Sequence, residues 1–233
     1  MIAKGLLKTV AASSICVLAL SVPNPAKADN PINNGMAYFN WESSGGPSFS
    51  QNGNGNYSAS WSGYGGDFTT GTGWCTWYGN LPSAPWPWVQ IGYNCGAFSM
   101  SGGFGSFGGY GWFTAPYAGR VDTEFYIVEM SGGNPLYLQG GQIGTVNSDG
   151  GTYKIYHNYF PSQHGISGAP LEQWISIRQG NNSAGQNHYI SLWNHFNAWQ
   201  SLGWQMGNFD DVRMSTEGGG GGSGYVNATA WLN

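Results

Sequence analysis

The chain has 233 residues, with only seven Lys or Arg against eleven Asp or Glu, aromatics at 16% and glycine at 40 positions. So few cations cannot neutralise a run of phosphates, which argues against nucleic acid and against anionic membranes as partners. The aromatic content excludes a disordered chain.

Residues 1–28 read as an export signal. Lys4 and Lys8 precede an apolar stretch, Pro23 breaks it, and Ala26-Lys27-Ala28 fits a small-x-small cleavage site. The apolar run is short for a membrane span, and no later stretch qualifies. A secreted, extracellular protein is expected, with a short N-terminal segment at 29–37 and one domain over 38–233. Beyond residue 28 only Arg120, Lys154, Arg178 and Arg213 are basic, leaving a net charge near −7. A folded surface so poor in cations must be built from Ser, Thr, Asn, Gln and Tyr. Those groups and exposed rings suit a neutral polysaccharide, through hydroxyl pairing and stacking on sugar C–H faces.

In chain order, alternation of apolar and polar residues predicts strands at 57–61, 123–129, 153–157, 174–178 and 225–231. Turn signals such as Asp149-Gly150-Gly151 and Gly180-Asn181-Asn182 punctuate them. Between Trp74 and Tyr110 lie Cys75 and Cys95, the only cysteines after the signal. Export favours a disulfide between them, which would contribute roughly 3 kcal/mol; the alternative is two thiols acting as small apolar side chains. No His or Cys pair has metal-ligand spacing, so no metal or cofactor is expected. Period two places Glu124, Tyr126 and Val128 on one face of their strand and Phe125, Ile127 and Glu129 on the other. One helix is predicted over 194–206, from Phe196, Trp199 and Leu202 at helical spacing, with Gly203 able to end it. Gly218 to Gly224 reads as a loop inside the domain. The class is all-β: two curved antiparallel sheets in a jelly-roll sandwich, with one helix on the back.

Several segments resemble one family. Glu-Phe-Tyr-Ile-Val-Glu at 124–129 is similar to the nucleophile strand of family-11 glycoside hydrolases, the compact endo-β-1,4-xylanases. Ser-Thr-Glu-Gly at 215–218 is similar to their acid/base strand. Asn40-Trp41, Gly71-Thr72-Gly73-Trp74, Tyr110-Gly111-Trp112, the 148–156 segment, Gln-Trp-Ile-Ser-Ile-Arg-Gln at 173–179 and Asn-His-Phe-Asn-Ala-Trp at 194–199 match in the same order. The resemblance implies a retaining hydrolase of xylan with Glu124 as nucleophile and Glu217 as acid/base, their carboxyls roughly 5–5.5 Å apart. It implies sugar contacts from Trp41, Tyr110, Trp112, Tyr126 and Gln173. Asp67 falls where the family carries Asn or Asp beside the acid/base, and an Asp there implies an acid-shifted pH profile; otherwise Asp67 caps a turn after Gly65-Gly66. A monomer acting on xylan or xylo-oligosaccharides, without nucleic acid or membrane, is expected. A non-catalytic carbohydrate-binding sandwich and a related endo-β-1,4-glucanase are the alternatives.

The departures from the family pattern gather around the cleft. The connections on both sides of Tyr110 are longer. The tip of the thumb hairpin falls on His164-Gly165-Ile166, Phe160 replaces an arginine, and Asp211 replaces a tyrosine.

Overall fold

The computed structural model describes residues 30–33, 35–43, 46–77, 79–81, 89–134 and 136–233. The expected signal at 1–28 lies outside them, as do Trp86 and Trp88. The strands in chain order are β1 (Asn30–Asn33), β2 (Met36–Glu42), β3 (Ser48–Gly53), β4 (Asn56–Tyr64), β5 (Asp67–Cys75), β6 (Gln90–Ser101) and β7 (Phe104–Thr114). Then come β8 (Asp122–Ser131), β9 (Gly144–Ser148), β10 (Gly151–His164), β11 (Pro170–Arg178), β12 (Asn187–Ser191), the helix α1 (Leu192–Ser201), β13 (Asn208–Gly219) and β14 (Gly222–Leu232).

Two sheets stack. One has nine strands in the order β1-β2-β5-β13-β7-β8-β11-β10-β9, the other five in the order β12-β6-β14-β4-β3. The all-β sandwich with a single helix is as expected. One neighbouring pair departs from antiparallel pairing: β8 and β11 run parallel, with Gln173 opposite Glu124. The thumb hairpin β10–β11 is thus attached to β8 and the strands beyond it by a parallel seam.

Period two sorts the side chains of β8. Phe125 and Ile127 enter the main core between the sheets, with Tyr93, Phe107, Phe113, Tyr153 and Val226. Tyr126 and Val128 lie in a second cluster with Tyr110, Trp112 and Ile175 on the opposite face. Glu129 is the polar member of the core-facing set and is fully buried. It accepts hydrogen bonds from Tyr93 Oη (2.8 Å), Tyr153 Oη (2.5 Å) and Asn182 Nδ2 (2.5 Å), which tie both sheets and a loop to one carboxylate.

The helix starts earlier and ends earlier than the 194–206 spacing predicts. Its entry is fixed by Asp149, which accepts from Ser191 N (2.8 Å) and Oγ (2.7 Å). Its exit is fixed by Gly203, whose φ of +108° no helix continues. Phe196 and Trp199 are buried, as the spacing requires, but Leu202 lies past the last turn and is 40% exposed. Trp199 donates from Nε1 to Ser176 Oγ at 3.0 Å, docking the helix on the core side of β11. The expected 218–224 loop is mostly ladder: β13 and β14 are joined through Gly220 and Gly221 alone, with φ of +62° and +85°. Two consecutive left-handed residues are what a tight hairpin demands and glycine supplies.

The Cys75–Cys95 disulfide is absent, and both residues are buried thiols. Cys75 sits at the end of β5 with Ala37 and Phe39, on the face away from the main core, where its Sγ contacts Asn80 Oδ1 at 3.6 Å. Cys95 points into the core between the sheets. A sheet separates the two sulfurs, and no side-chain rotation brings them together.

Two predictions follow from this packing. Dithiothreitol is expected to leave the thermal midpoint unchanged, whereas loss of a real bridge would lower it by roughly 6–12 °C. His195 is fully buried, and neither ring nitrogen has a hydrogen-bond partner among the described residues. Burial pulls its pKa down to about 3, helped by Arg178 and opposed by Asp149. Between that value and the ordinary 6.5, the unfolded chain binds a proton that the fold refuses, so stability falls as pH drops through this window. His195→Phe, which keeps an aromatic ring against Tyr153, should remove about 2 kcal/mol of that loss at pH 5. Equal acid sensitivity of both proteins in urea titrations would contradict it.

Candidate active site

The cleft face of the nine-stranded sheet follows from register. Across β13 and β7, Glu217 pairs with Ser106, Ser215 with Gly108 and Arg213 with Tyr110. Across β7 and β8, Tyr110 pairs with Tyr126 and Trp112 with Glu124. On the far sides, Thr69 pairs with Glu217 and Trp41 with Thr69, while Gln173 pairs with Glu124. Directly paired residues point the same way, and so do residues two apart on one strand. Trp41, Asp67, Tyr110, Trp112, Glu124, Tyr126, Gln173 and Glu217 therefore share one face. Small residues at Gly71, Gly73 and Gly108 leave the floor between them low.

Glu124 is 5% exposed and fully engaged. Its Oε1 accepts from Tyr110 Oη at 2.7 Å and Tyr126 Oη at 2.9 Å, and its Oε2 from Gln173 Nε2 at 2.7 Å. Each donor is itself held. Trp112 Nε1 donates to Tyr110 Oη at 2.8 Å, so the tyrosine's own proton is committed to Glu124. Asn158 Nδ2 donates to Gln173 Oε1 at 2.8 Å, which fixes the amide with its NH2 toward the carboxylate. Trp112 is only 3% exposed, so its packing and its N–H are spent on orienting Tyr110.

Glu217 is 8% exposed and far less well served. Thr69 Oγ1 donates to its Oε2 at a long 3.4 Å. Tyr126, already bonded to Glu124, also reaches it.

The two environments split the acidities. Burial pushes Glu217 well above the ordinary glutamate value, and the neighbouring Asp67 and Glu124 push it further. Burial also raises Glu124, but hydrogen bonds from Gln173, Tyr110 and Tyr126 and the charge of Arg213 all oppose the rise. Both carboxyls are pushed up by burial, but the donors hold Glu124 nearer its ionised form than Glu217, which has fewer of them. Burial is the larger cause of the raised pKa of Glu217, and repulsion from Asp67 and Glu124 adds to it.

Asp67 begins β5, opposite Gly219. Its N–H donates to Ser43 Oγ at 2.9 Å, while its Oδ1 is buried without a hydrogen-bond partner among the described residues. An ionised carboxylate left in that state is costly, and burial followed by the Glu124 charge lifts Asp67 to about 7. Trp41 stands at the end of β2, half-buried, as an open aromatic wall.

The thumb is β10 and β11 with a tip at 165–169, closed by Gly165 N donating to Ala169 O at 2.8 Å. The tip is tied to the rest of the sheet through Asp122. That carboxylate accepts from Ser167 N (2.7 Å), Ser167 Oγ (2.6 Å) and Ala115 N (2.7 Å). Sequence reasoning missed this anchor; the only hint is an Asp at the start of β8. It also missed Asn158, whose role needs the β10–β11 register, and the partnership of Asp211 with Arg213. Among the described residues no cluster of three or more His, Cys, Asp or Glu could hold a metal.

Comparison with known proteins agrees with this geometry. Residues 33–229 match the family described as glycosyl hydrolases family 11. Endo-1,4-beta-xylanase 1 of Hypocrea jecorina is 38% identical over 156 residues, covering 66% of this chain and 59% of the relative, so the chain matches about three-fifths of that protein's length. Endo-1,4-beta-xylanase 2 of Rhizopus oryzae is 33% identical over 218 residues, covering 89% of this chain and 90% of the relative. A solved structure from a comparison of two major endo-1,4-beta-xylanases of Trichoderma reesei superposes with a TM-score of 0.67 at 32% identity, covering 82% of this chain and 96% of that one. With the family model matching residues 33–229 and the two-sheet architecture in place, the chain belongs to glycosyl hydrolase family 11.

Proposed function

We propose that the protein is an endo-β-1,4-xylanase that cleaves xylan with retention of configuration, Glu124 serving as nucleophile and Glu217 as acid/base. The observation that carries this reading is the unequal treatment of two buried carboxyls on one cleft face: three close donors for Glu124, against a long contact from Thr69 and a share of the already bonded Tyr126 for Glu217. A non-catalytic binding surface has no use for that asymmetry.

In the first step an ionised Glu124 oxygen attacks the anomeric carbon. The glycosidic C–O bond breaks, and Glu217 gives its proton to the departing oxygen. A glycosyl ester on Glu124 and an ionised Glu217 result. Esterification removes the Glu124 charge, and with it one cause of the high pKa of Glu217, which now takes a proton from water. The resulting hydroxide breaks the ester, frees the sugar with its original configuration and returns both groups to their starting states.

Trp41 offers a ring for stacking at the open end of the cleft. Tyr110 and Tyr126 offer oxygens beside the nucleophile, and Gln173 an amide. Asp67 is coupled by charge to the acid/base, since an ionised Asp67 makes Glu217 harder to ionise. While Asp67 is protonated, Glu217 is a competent acid; once Asp67 ionises, its charge holds the Glu217 proton more tightly. Loss of activity should then begin near the value of about 7 to which Asp67 is lifted. We read residues 1–28 as directing export, and the enzyme as a monomer meeting xylan outside the cell. No helix among the described residues is long and apolar enough to cross a membrane.

Three outcomes are expected. Glu124→Gln should abolish reducing-sugar release from xylan while retaining the polymer in affinity electrophoresis; undiminished release would remove the nucleophile from the scheme. Glu217→Gln should cost about 10²–10⁴ in kcat/KM on xylan but much less on an aryl xylobioside whose leaving group needs no protonation. Equal losses on the two substrates would contradict an acid role. Asp67→Asn should move the alkaline limb of the pH profile upward, and a limb that stays put would refute the coupling of Asp67 to Glu217. Carboxymethyl cellulose assayed beside xylan separates this activity from an endo-β-1,4-glucanase.

A further inference from the structure

The cleft floor holds a charge that the reaction above does not use. Arg213 lies on β13, the strand of Glu217, and is 2% exposed. Its Nε donates to Asp211 Oδ2 at 2.6 Å. Its guanidinium stands 3.9 Å from the centre of the Phe39 ring and 4.8 Å from that of Tyr110. Across the ladder, Gly73 makes room for it: a Cβ there would lie 2.5 Å from Arg213 Cα and 2.7 Å from its Cβ.

A buried ion pair is a poor device for stability alone. Desolvating the two ions costs several kcal/mol each, and apolar side chains of similar volume often fill such a site as well or better. Asp211 Oδ1, moreover, is buried without a hydrogen-bond partner among the described residues. The pair does have a direct route to the chemistry. Arg213 packs on the Tyr110 ring, and the hydroxyl of that ring donates to Glu124 at 2.7 Å.

We propose that Arg213, clamped by Asp211, is a positioning residue for Glu124: its planar group holds the Tyr110 ring by stacking, and its charge balances the carboxylate in the substrate-free cleft. The proposal rests on the reading of Glu124 as nucleophile. Within the ladder the geometry is complete, because Arg213, Tyr110 and Tyr126 are successive partners across β13, β7 and β8.

The titratable groups around this point are otherwise acidic or phenolic. β13 contributes Asp210, Asp211 and Glu217, and β7 contributes Tyr110. β8 contributes Glu124 and Tyr126, and β5 contributes Cys75 and Asp67. Phe39 on β2 and Gln173 on β11 carry no charge. Arg213 is the cation in this set, and its field opposes the effect of burial on Glu124. Tyr110 remains a donor throughout the working range, because burial and the Glu124 charge hold its own proton well above the ordinary tyrosine value.

The test compares wild type, Asp211→Asn/Arg213→Met and Arg213→Lys. Its readouts are a carbon-13 NMR titration of glutamate-labelled protein without substrate and the pH dependence of kcat and KM on xylan. In the double variant, which removes both charges together, Glu124 should titrate about one pH unit higher, and the acid limb of kcat/KM should move with it. Its kcat should fall about tenfold with little change in KM, as expected when an interaction of the transition state rather than of binding is lost. Arg213→Lys keeps the charge and loses the planar stack, so the Glu124 titration should stay near wild type while kcat falls. A folded double variant with wild-type titration and kcat would overturn the proposal. Should that variant fail to fold, Arg213→Lys decides, and full activity in it would overturn the stacking role. A wild-type protein that titrates as described but does not cleave xylan would sink the proposed function and leave the placement of Arg213 standing.

Discussion

A carboxylate taken out of water must be hydrogen-bonded, paired with a cation or protonated, and this cleft uses all three solutions within a few strands of one sheet. Glu124 takes the first, through Tyr110, Tyr126 and Gln173. Asp211 takes the second, through Arg213. Glu217 and Asp67, short of donors, are pushed toward the third. The difference among these solutions is what the proposed chemistry needs, because a nucleophile and an acid made from the same residue type can differ only by surroundings.

The sheet supplies those surroundings by strict alternation. Each strand of the cleft sends one set of side chains to the inter-sheet core and the next to the cleft, so the rigidity of Phe125 and Ile127 in the core is passed directly to Glu124 and Tyr126. Donors that lie on neighbouring strands, rather than on loops, are held by ladder hydrogen bonds as well as by packing. Glu129, facing the other way on β8, pins the same strand to the five-stranded sheet through Tyr93. One strand thus carries the chemistry on one face and the inter-sheet clamp on the other.

Much of this was legible in the sequence, for an identifiable reason. Period-two alternation sorted the side chains of β8 into two faces and marked β4, β10, β11 and β14 as strands. β7 was opaque as a strand, since Phe104 to Thr114 is largely glycine and aromatic residues with no polar face to alternate. Its glycines make sense only once β8 and β13 are seen on either side of it. The Cys75–Cys95 bridge failed because sequence proximity and an exporting context say nothing of faces, and a sheet separates the thiols. The parallel seam of β8 with β11, the Asp122 anchor of the thumb and the Asp211–Arg213 clamp are all contacts between distant segments, which no local pattern encodes. Glu217 was singled out by family resemblance and not by periodicity, because the alternation of β13 is hidden by Thr216 and Ser215.

The central claim is that Glu124, kept ionised by its donors, forms the bond to the sugar. The most direct measurement is mass spectrometry of the enzyme quenched during reaction with a 2-deoxy-2-fluoro xylobioside bearing a good leaving group, followed by peptide mapping. The account predicts a stoichiometric glycosyl adduct on the peptide containing Glu124, which disappears as activity returns. An adduct on another residue, or turnover of xylan that yields sugars of inverted configuration, would contradict it.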